Sequence, residues 1–157
     1  PYQFPEKLIP QAVFKALSDQ PIPIYGDGLY VRDWIHAEDH CAAIDLLFAK
    51  GVPGEVYNIG VDNERSNLEV IKMVLDILGK PHSLMTAVAD RPGHDRRYAI
   101  DSRKIEKLGF APRYSREKFD EGLRTKVEWY LSHPEWVEKL RARQSELNPH
   151  IKIEDRK

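Results

Sequence analysis

Glycines and prolines interrupt this chain before any apolar pattern runs far, which restricts it to helices of moderate length alternating with short strands. The spacing predicts an amphipathic helix over 6–19. Leu8, Ile9, Ala12, Val13, Ala16 and Leu17 form its inner face, Pro5 precedes it, and Pro10 lies in its first turns, where a missing N–H does least harm. PIPIYGDG then reads as a brief strand entering a turn at Asp27-Gly28. A second helix fits 37–49, with Cys41, Ile44, Leu47 and Phe48 as its stripe, and stops before Gly51-Val52-Pro53-Gly54. EVYNIG, residues 55–60, packs Val, Tyr and Ile between glycines and predicts a short buried strand.

Ser66 with Glu69 makes a capping-box pattern that opens a third helix, with Leu68, Ile71, Val74, Leu75 and Leu78 inward and Gly79 as its stop. A strand follows over 84–88. Tyr98 to Ile100 extends briefly before Asp101 caps a short helix ending at Gly109. A last long helix covers 115–131, limited by Pro134, and residues 145–157 are polar enough to fray. With 157 residues, 41% of them apolar, the chain reads as one α/β domain with a real core.

Charge narrows the partner. The 24 basic and 25 acidic residues leave a net charge of −1, so the positive field of a nucleic-acid or membrane-surface binder is absent and a small ligand is expected. A single cysteine, Cys41, excludes an internal disulfide and fits a reducing compartment. No apolar run is long enough to span a bilayer and PYQFPEK carries no leader pattern, so the expected location is the cytoplasm. Beginning at Pro1 without a Met, the chain also reads as the middle of something larger. The six histidines show no metal-ligand spacing, and Asp39-His40-Cys41 reads as helix surface and core. No nucleophile elbow or Walker loop is present, and Gly26-Asp27-Gly28 lacks both the third glycine and the preceding buried strand of a dinucleotide fingerprint.

The densest chemistry is DRPGHDRRYAID, residues 90–101, with three arginines, three aspartates and one histidine around a Pro-Gly break. Together with Arg32 in YVRDW, Arg91, Arg96 and Arg97 suit an anion, because a guanidinium meets two phosphate oxygens at once. Asn67 sits in the first turn of the third helix, where unpaired N–H groups and the dipole also favour an anion. Plainer readings stand beside these. Arg32 with Asp33 and Asp90 with Arg91 can be ion pairs that tie loops down, His94 a surface histidine, Tyr25 plain core and Asn67 a second-best cap.

PYQFPEKLIP, PIPIYGDGLYVRDWIHAEDH, EVYNIG and DRPGHDRRYAID, in this order and spacing, resemble the C-terminal half of the dTDP-glucose 4,6-dehydratases. These are extended short-chain dehydrogenases, and FDEGLRTKVEWYL is similar too. YGDG…RDW…ED and YNIG mark only the superfamily, whereas DRPGH is more specific. The fold implied is α/β, the C-terminal part of an NAD(P)-binding Rossmann-like fold. It consists mainly of the substrate-binding lobe, plus a helix and strand returning to the Rossmann sheet. Residues 1–144 would be the nucleotide-sugar-binding portion and 145–157 a tail.

The resemblance implies that Lys7, Leu8, Pro23, Ile24 and Tyr25 lie around the base and ribose of a dTDP-sugar. It places Arg32, Asn67, Arg91 and His94 at the diphosphate, with Asp90, Pro92 and Gly93 completing the DRPGH segment that turns Arg91 and His94 together. The reaction implied for the complete enzyme converts dTDP-glucose to its 4-keto-6-deoxy derivative plus water, using NAD, and the complete enzyme is expected to be a homodimer. Its Gly-rich cofactor unit, Thr-Asp-Glu segment and Tyr-x-x-x-Lys pair are expected in an N-terminal half outside this chain. No catalytic, cofactor-binding or metal residues are therefore expected here, and this chain alone should be inactive and bind no NAD. RARQSELNPH, residues 141–150, has no counterpart of an aromatic that often reaches the ligand in the family. The alternatives are a nonenzymatic nucleotide-sugar-binding module, or another extended-family epimerase, dehydratase or decarboxylase.

Overall fold

A computed structural model describes residues 2–147. Helix α1 spans Leu8–Leu17, with Pro10, Ala12, Val13, Phe14 and Ala16 buried; it starts two residues later than expected, after Lys7, whose extended backbone forms the N-cap. Strand β1, Ile22–Tyr25, alternates buried Ile22 and Ile24 with half-buried Pro23 and Tyr25, as one covered sheet face requires. Strand β2, Val31–Asp33, leads into helix α2, Ala37–Lys50.

Helix α3, Asn67–Leu78, follows directly from strand β3, Glu64–Ser66. Its start and stop are those the local code dictates. Ser66 Oγ accepts the Glu69 N–H at 3.2 Å while the Glu69 carboxylate accepts the Ser66 N–H at 2.7 Å, and Gly79 ends the helix in the left-handed region at φ 63°. Strand β4, Met85–Val88, then runs parallel to β1, from Ile22 opposite Met85 to Tyr25 opposite Val88. Parallel strands need a long crossover, and α3 provides it. Antiparallel β2 and β3 form the second small sheet, with Arg32 opposite Arg65. Helix α1 packs on α3, and a later helix, Phe119–Ser132, closes the same core. Phe14, Ile22, Val74, Leu75, Val127 and Tyr130 meet there.

Several expectations change. EVYNIG forms no strand and is largely uncovered: Val56 is 79% exposed, Tyr57 and Ile59 are half-buried, and Gly60 alone of the six is buried. A strand is stable only on a ladder partner, and none of the described residues pairs with this run. The stripe of α2, expected to return to the Rossmann sheet of the complete fold, is mostly uncovered in this chain. Phe48 is 90% exposed, Ile44 and Cys41 are exposed, and Leu47 is half-buried, while Asp39 and Ala43 are the buried positions. The Asp39 carboxylate accepts the N–H groups of Arg113 at 2.7 Å and Tyr114 at 3.0 Å, tying α2 to that loop.

Tyr98 to Ile100 forms no strand, although the Tyr98 N–H reaches the Val31 carbonyl at 3.1 Å. The short helix α4 covers Arg103–Glu106; Ser102 is its N-cap by position, yet the Asp101 carboxylate accepts the Arg103 N–H at 3.0 Å. The last expected helix resolves into a 3-10 turn over 116–118 and α5, Phe119–Ser132. Beyond it, Pro134 begins a further helix, α6, Pro134–Leu147, since proline is well suited to a first helical position. The expected frayed tail falls from residue 148 onward outside the described residues, as does the end of the 141–150 segment. Among the described residues no helix is long and apolar enough to cross a membrane.

Candidate nucleotide-diphosphate site

A cavity of about 440 Å³ opens between the start of α1, the end of β1, β2 and the DRPGH turn. Its walls include Lys7, the N-cap of α1, and Leu8, its first residue, Pro23 and Tyr25 from β1, Arg32 from β2, Asn67 from α3, and Arg91 and His94. Four expected site residues do not line it. Ile24 is 8% exposed and belongs to the core, while Asp90, Pro92 and Gly93 are exposed and outside the lining.

The turn explains itself locally. Pro92 and Gly93 occupy its centre, Gly93 at φ 69° where a side chain would be strained, and the His94 N–H closes on the Arg91 carbonyl at 3.3 Å. This is the residue pattern of a type II turn. It places the first and last of its four residues, Arg91 and His94, on the same cavity wall.

The arginines divide into two classes. Arg96 forks onto Asp27 at 2.7 and 2.8 Å, and Arg97 onto Glu64 at 2.5 and 2.6 Å. The fork holds the Asp27 carboxyl down at about 2, the Arg96 hydrogen bonds being the largest cause. Arg32 and Arg91 have no such fork and lie over tyrosine rings, Arg32 4.1 Å from the centroid of Tyr98 and Arg91 4.4 Å from that of Tyr25, while the forked Arg96 also lies over a ring, 5.1 Å from the centroid of Tyr30. The neighbours suspected as their ion-pair partners are used otherwise. Asp33 accepts the N–H groups of Val61 at 3.0 Å and Asn63 at 2.9 Å, and Asp90 accepts the Tyr30 hydroxyl and the Arg91 N–H. Among the described residues no ion pair engages Arg32 or Arg91. Two guanidinium groups therefore line one cavity without an ion pair among the described residues.

His94 lies against them. Its Nε2 is 3.2 Å from Arg32 Nη2, and a guanidinium only donates, so Nε2 accepts and the imidazole is neutral. Burial pushes its pKa down, the charges of Arg91 and Arg32 push it further, and Asp90 and Asp95 oppose them. Asn67 contributes its side chain to the wall rather than a free helix terminus. Its N–H donates to the Tyr30 carbonyl at 2.9 Å, Leu68 N–H to Gly28 at 3.0 Å and Glu69 N–H to Ser66 Oγ. The first N–H groups of α3 are thus satisfied, and the anion-binding terminus inferred from spacing is not available.

Gln3, Glu6, Ile9, Gln11 and Trp34 also line the cavity and were missed by the sequence reading. Trp34 was legible: it stands two residues from Arg32 at the end of β2, and alternate strand positions share a face. Gln11 follows Lys7 by one helical turn. Trp34, Gln3 and Ile9 continue into a second cavity of about 420 Å³, lined also by His36, His40, Cys41 and Tyr114, so Cys41 is exposed at a cavity rather than part of the core. Among the described residues no group of His, Cys, Asp and Glu is arranged to hold a metal.

Cofactor chemistry does not fit the Gly26-Asp27-Gly28 turn. The strand before it, β1, is only half-buried, and β2 rather than a helix follows. The Gly28 N–H donates to the Tyr25 carbonyl and Leu29 N–H to Asp27, leaving no cradle for a dinucleotide phosphate. A Tyr-x-x-x-Lys spacing does occur, at Tyr114 and Lys118. Tyr114, however, is buried before the helical turn while Lys118 is exposed at its end, so the two do not share a helix face.

The chain is 48% identical over 148 residues to a dTDP-glucose 4,6-dehydratase of Xanthomonas campestris pv. campestris, a match covering 88% of this chain and 41% of that protein. Its fold is similar to the dTDP-glucose 4,6-dehydratase of Bacillus anthracis in complex with NAD, with a TM-score of 0.82 at 48% identity over 89% of this chain and 44% of that one. It is similar also to the Streptomyces venezuelae dTDP-glucose 4,6-dehydratase solved with NAD and a second ligand, with a TM-score of 0.83 at 47% identity over 89% and 43% of the two chains. The chain thus spans about two fifths of the length of the curated relatives it matches, 41% in the case above. The family model described as GDP-mannose 4,6 dehydratase matches residues 1–125, so the chain belongs to that family and carries a mixed α/β part of the extended short-chain dehydrogenase fold.

Proposed function

We propose that residues 1–144 are the nucleotide-sugar-binding portion of an NAD-dependent dTDP-glucose 4,6-dehydratase, a lyase that in its complete form is a homodimer. The observation that carries this reading is the convergence of Arg32, Arg91 and His94 on one cavity wall, with no carboxylate pairing either arginine among the described residues. The similarity to dTDP-glucose 4,6-dehydratases supplies the class of ligand. In this reading the two guanidinium groups hold the diphosphate, and Lys7, Leu8, Pro23 and Tyr25 line the nucleoside end. The anchored nucleotide fixes the position of the glucose ring, and orientation of this kind lowers a barrier without any group on this chain reacting. NAD, when bound to the complete enzyme, supplies the transient oxidation of the sugar, and its site lies outside the residues described here.

Calorimetric titration of the chain with dTDP-glucose tests the reading. Arg32→Ala and Arg91→Ala should each weaken binding by about 1.5–3 kcal/mol, the worth of a charge-assisted hydrogen-bonded contact, with little loss of folding. Unchanged affinity in both variants would leave the arginines as structural contacts and refute the site.

A further inference from the structure

Asp90 belongs to the segment that bears Arg91 and His94, yet it is not among the residues that line the cavity. One oxygen, Oδ2, accepts the Tyr30 hydroxyl and the other, Oδ1, accepts the Arg91 N–H at 2.8 Å. The contacts of Tyr30 are as specific. It is 6% exposed, and its ring stacks on the His94 imidazole with centroids 4.3 Å apart and planes 30° apart. Its carbonyl accepts the Asn67 N–H at 2.9 Å, which ties it to a further cavity-lining residue. Gly26 leaves the space this arrangement needs: a Cβ there would lie 3.0 Å from the Asp90 carboxylate. Tyr30 thus grips the DRPGH turn at both ends, through its hydroxyl at Asp90 and through its ring face at His94, and neither Tyr30 nor Asp90 lines the cavity.

We propose that Tyr30 and Asp90 are positioning residues for nucleotide-diphosphate recognition, acting through Arg91 and His94 without touching the ligand. The inference rests on the reading of the cavity as the diphosphate site. A turn held at only one point would let Arg91 and His94 sample other orientations, and each binding event would then have to order them, which lowers affinity without removing a contact.

The test is a thermodynamic cycle on the full chain with dTDP as the probe. Tyr30→Phe keeps the ring and its stack and removes only the hydroxyl, so the protein should fold with an unchanged core while dTDP binds about three- to tenfold more weakly. The same substitution in an Arg91→Ala, His94→Ala background should change affinity by less than about twofold, since the groups it positions are gone. The ring nitrogens of His94 report independently: their chemical shifts should move in Tyr30→Phe. If that variant fails to fold, Asp90→Asn, which retains one of the two acceptor oxygens, takes its place with the same two backgrounds. Unaltered dTDP affinity in the single variant, or an equal loss in both backgrounds, overturns the inference. Failure of the unsubstituted chain to bind dTDP at all overturns instead the assignment of the cavity, and the positioning role with it.

Discussion

Four arginines crowd one loop system, and which of them has a carboxylate partner decides what each is for. Arg96 is spent on Asp27 in an exposed, solvent-screened fork, so Arg96→Ala should leave stability nearly unchanged, while the Asp27 carboxyl should rise from about 2 toward its ordinary 3.8. Its effect on dTDP-glucose affinity should stay under about twofold, against the larger loss in Arg91→Ala, and parallel titration of the two variants checks the contrast. His94 offers a second reading at the same scale. Because Arg91 is the second cause of its depressed pKa after burial, Arg91→Ala should move the NMR titration midpoint of the His94 ring upward, toward 6.5. The sign for stability follows from proton counting. Between the depressed native value and 6.5 the unfolded chain holds more protons at this site, so stability rises with pH across that window and falls on acidification below 6.5.

Helix α3 carries much of the fold because it is at once the crossover between β1 and β4 and the partner of α1. Its two ends are fixed by different physics. Ser66→Ala removes the hydroxyl that satisfies the Glu69 N–H and should cost about 1 kcal/mol. Gly79→Ala meets no neighbour within 4 Å, so its cost is purely that of a left-handed backbone at φ 63°, again about 1 kcal/mol. Urea unfolding measures both, and the sites are far enough apart along the helix for the losses to add. The capping box also matters for the site, since Asn67 on the cavity wall is the first residue of α3.

Across the whole molecule, the apolar surface is unevenly covered. Phe48, Val52 and Val56 are 90%, 56% and 79% exposed, a succession along α2 and the segment after it, while the core around α1, α3 and α5 is closed. Exposed apolar groups in series favour association. The chain by itself should therefore self-associate with rising concentration in sedimentation experiments, and Phe48→Glu should shift it toward monomer. Amides from residue 51 to 60, which join no sheet, should exchange much faster than those of α3. A monodisperse monomer strongly protected across 37–60 would show that this face is complete as it stands.

Where structure depends on neighbours along the chain, the residues announced it. The Ser66–Glu69 box, the Gly79 stop, the Pro92-Gly93 turn and the bounds of α2 all follow from interactions within a few positions. Anything that needed a distant partner stayed undecided or was misread. EVYNIG has the composition of a strand, but composition cannot supply the ladder that makes one, and the stripe of α2 has the right spacing without a surface to cover it. The arginines are the sharpest case. Spacing alone favoured Asp33 and Asp90 as partners of Arg32 and Arg91, because sequence neighbours are the only ones it can count. Folding brings Asp33 to two backbone N–H groups, Asp90 to Tyr30 and His94 to Arg32, 62 positions away. Local sequence set the turn that presents Arg91 and His94, but which charges were left unpaired was settled by long-range contacts, because a carboxylate's allegiance depends on what tertiary packing puts within hydrogen-bond reach.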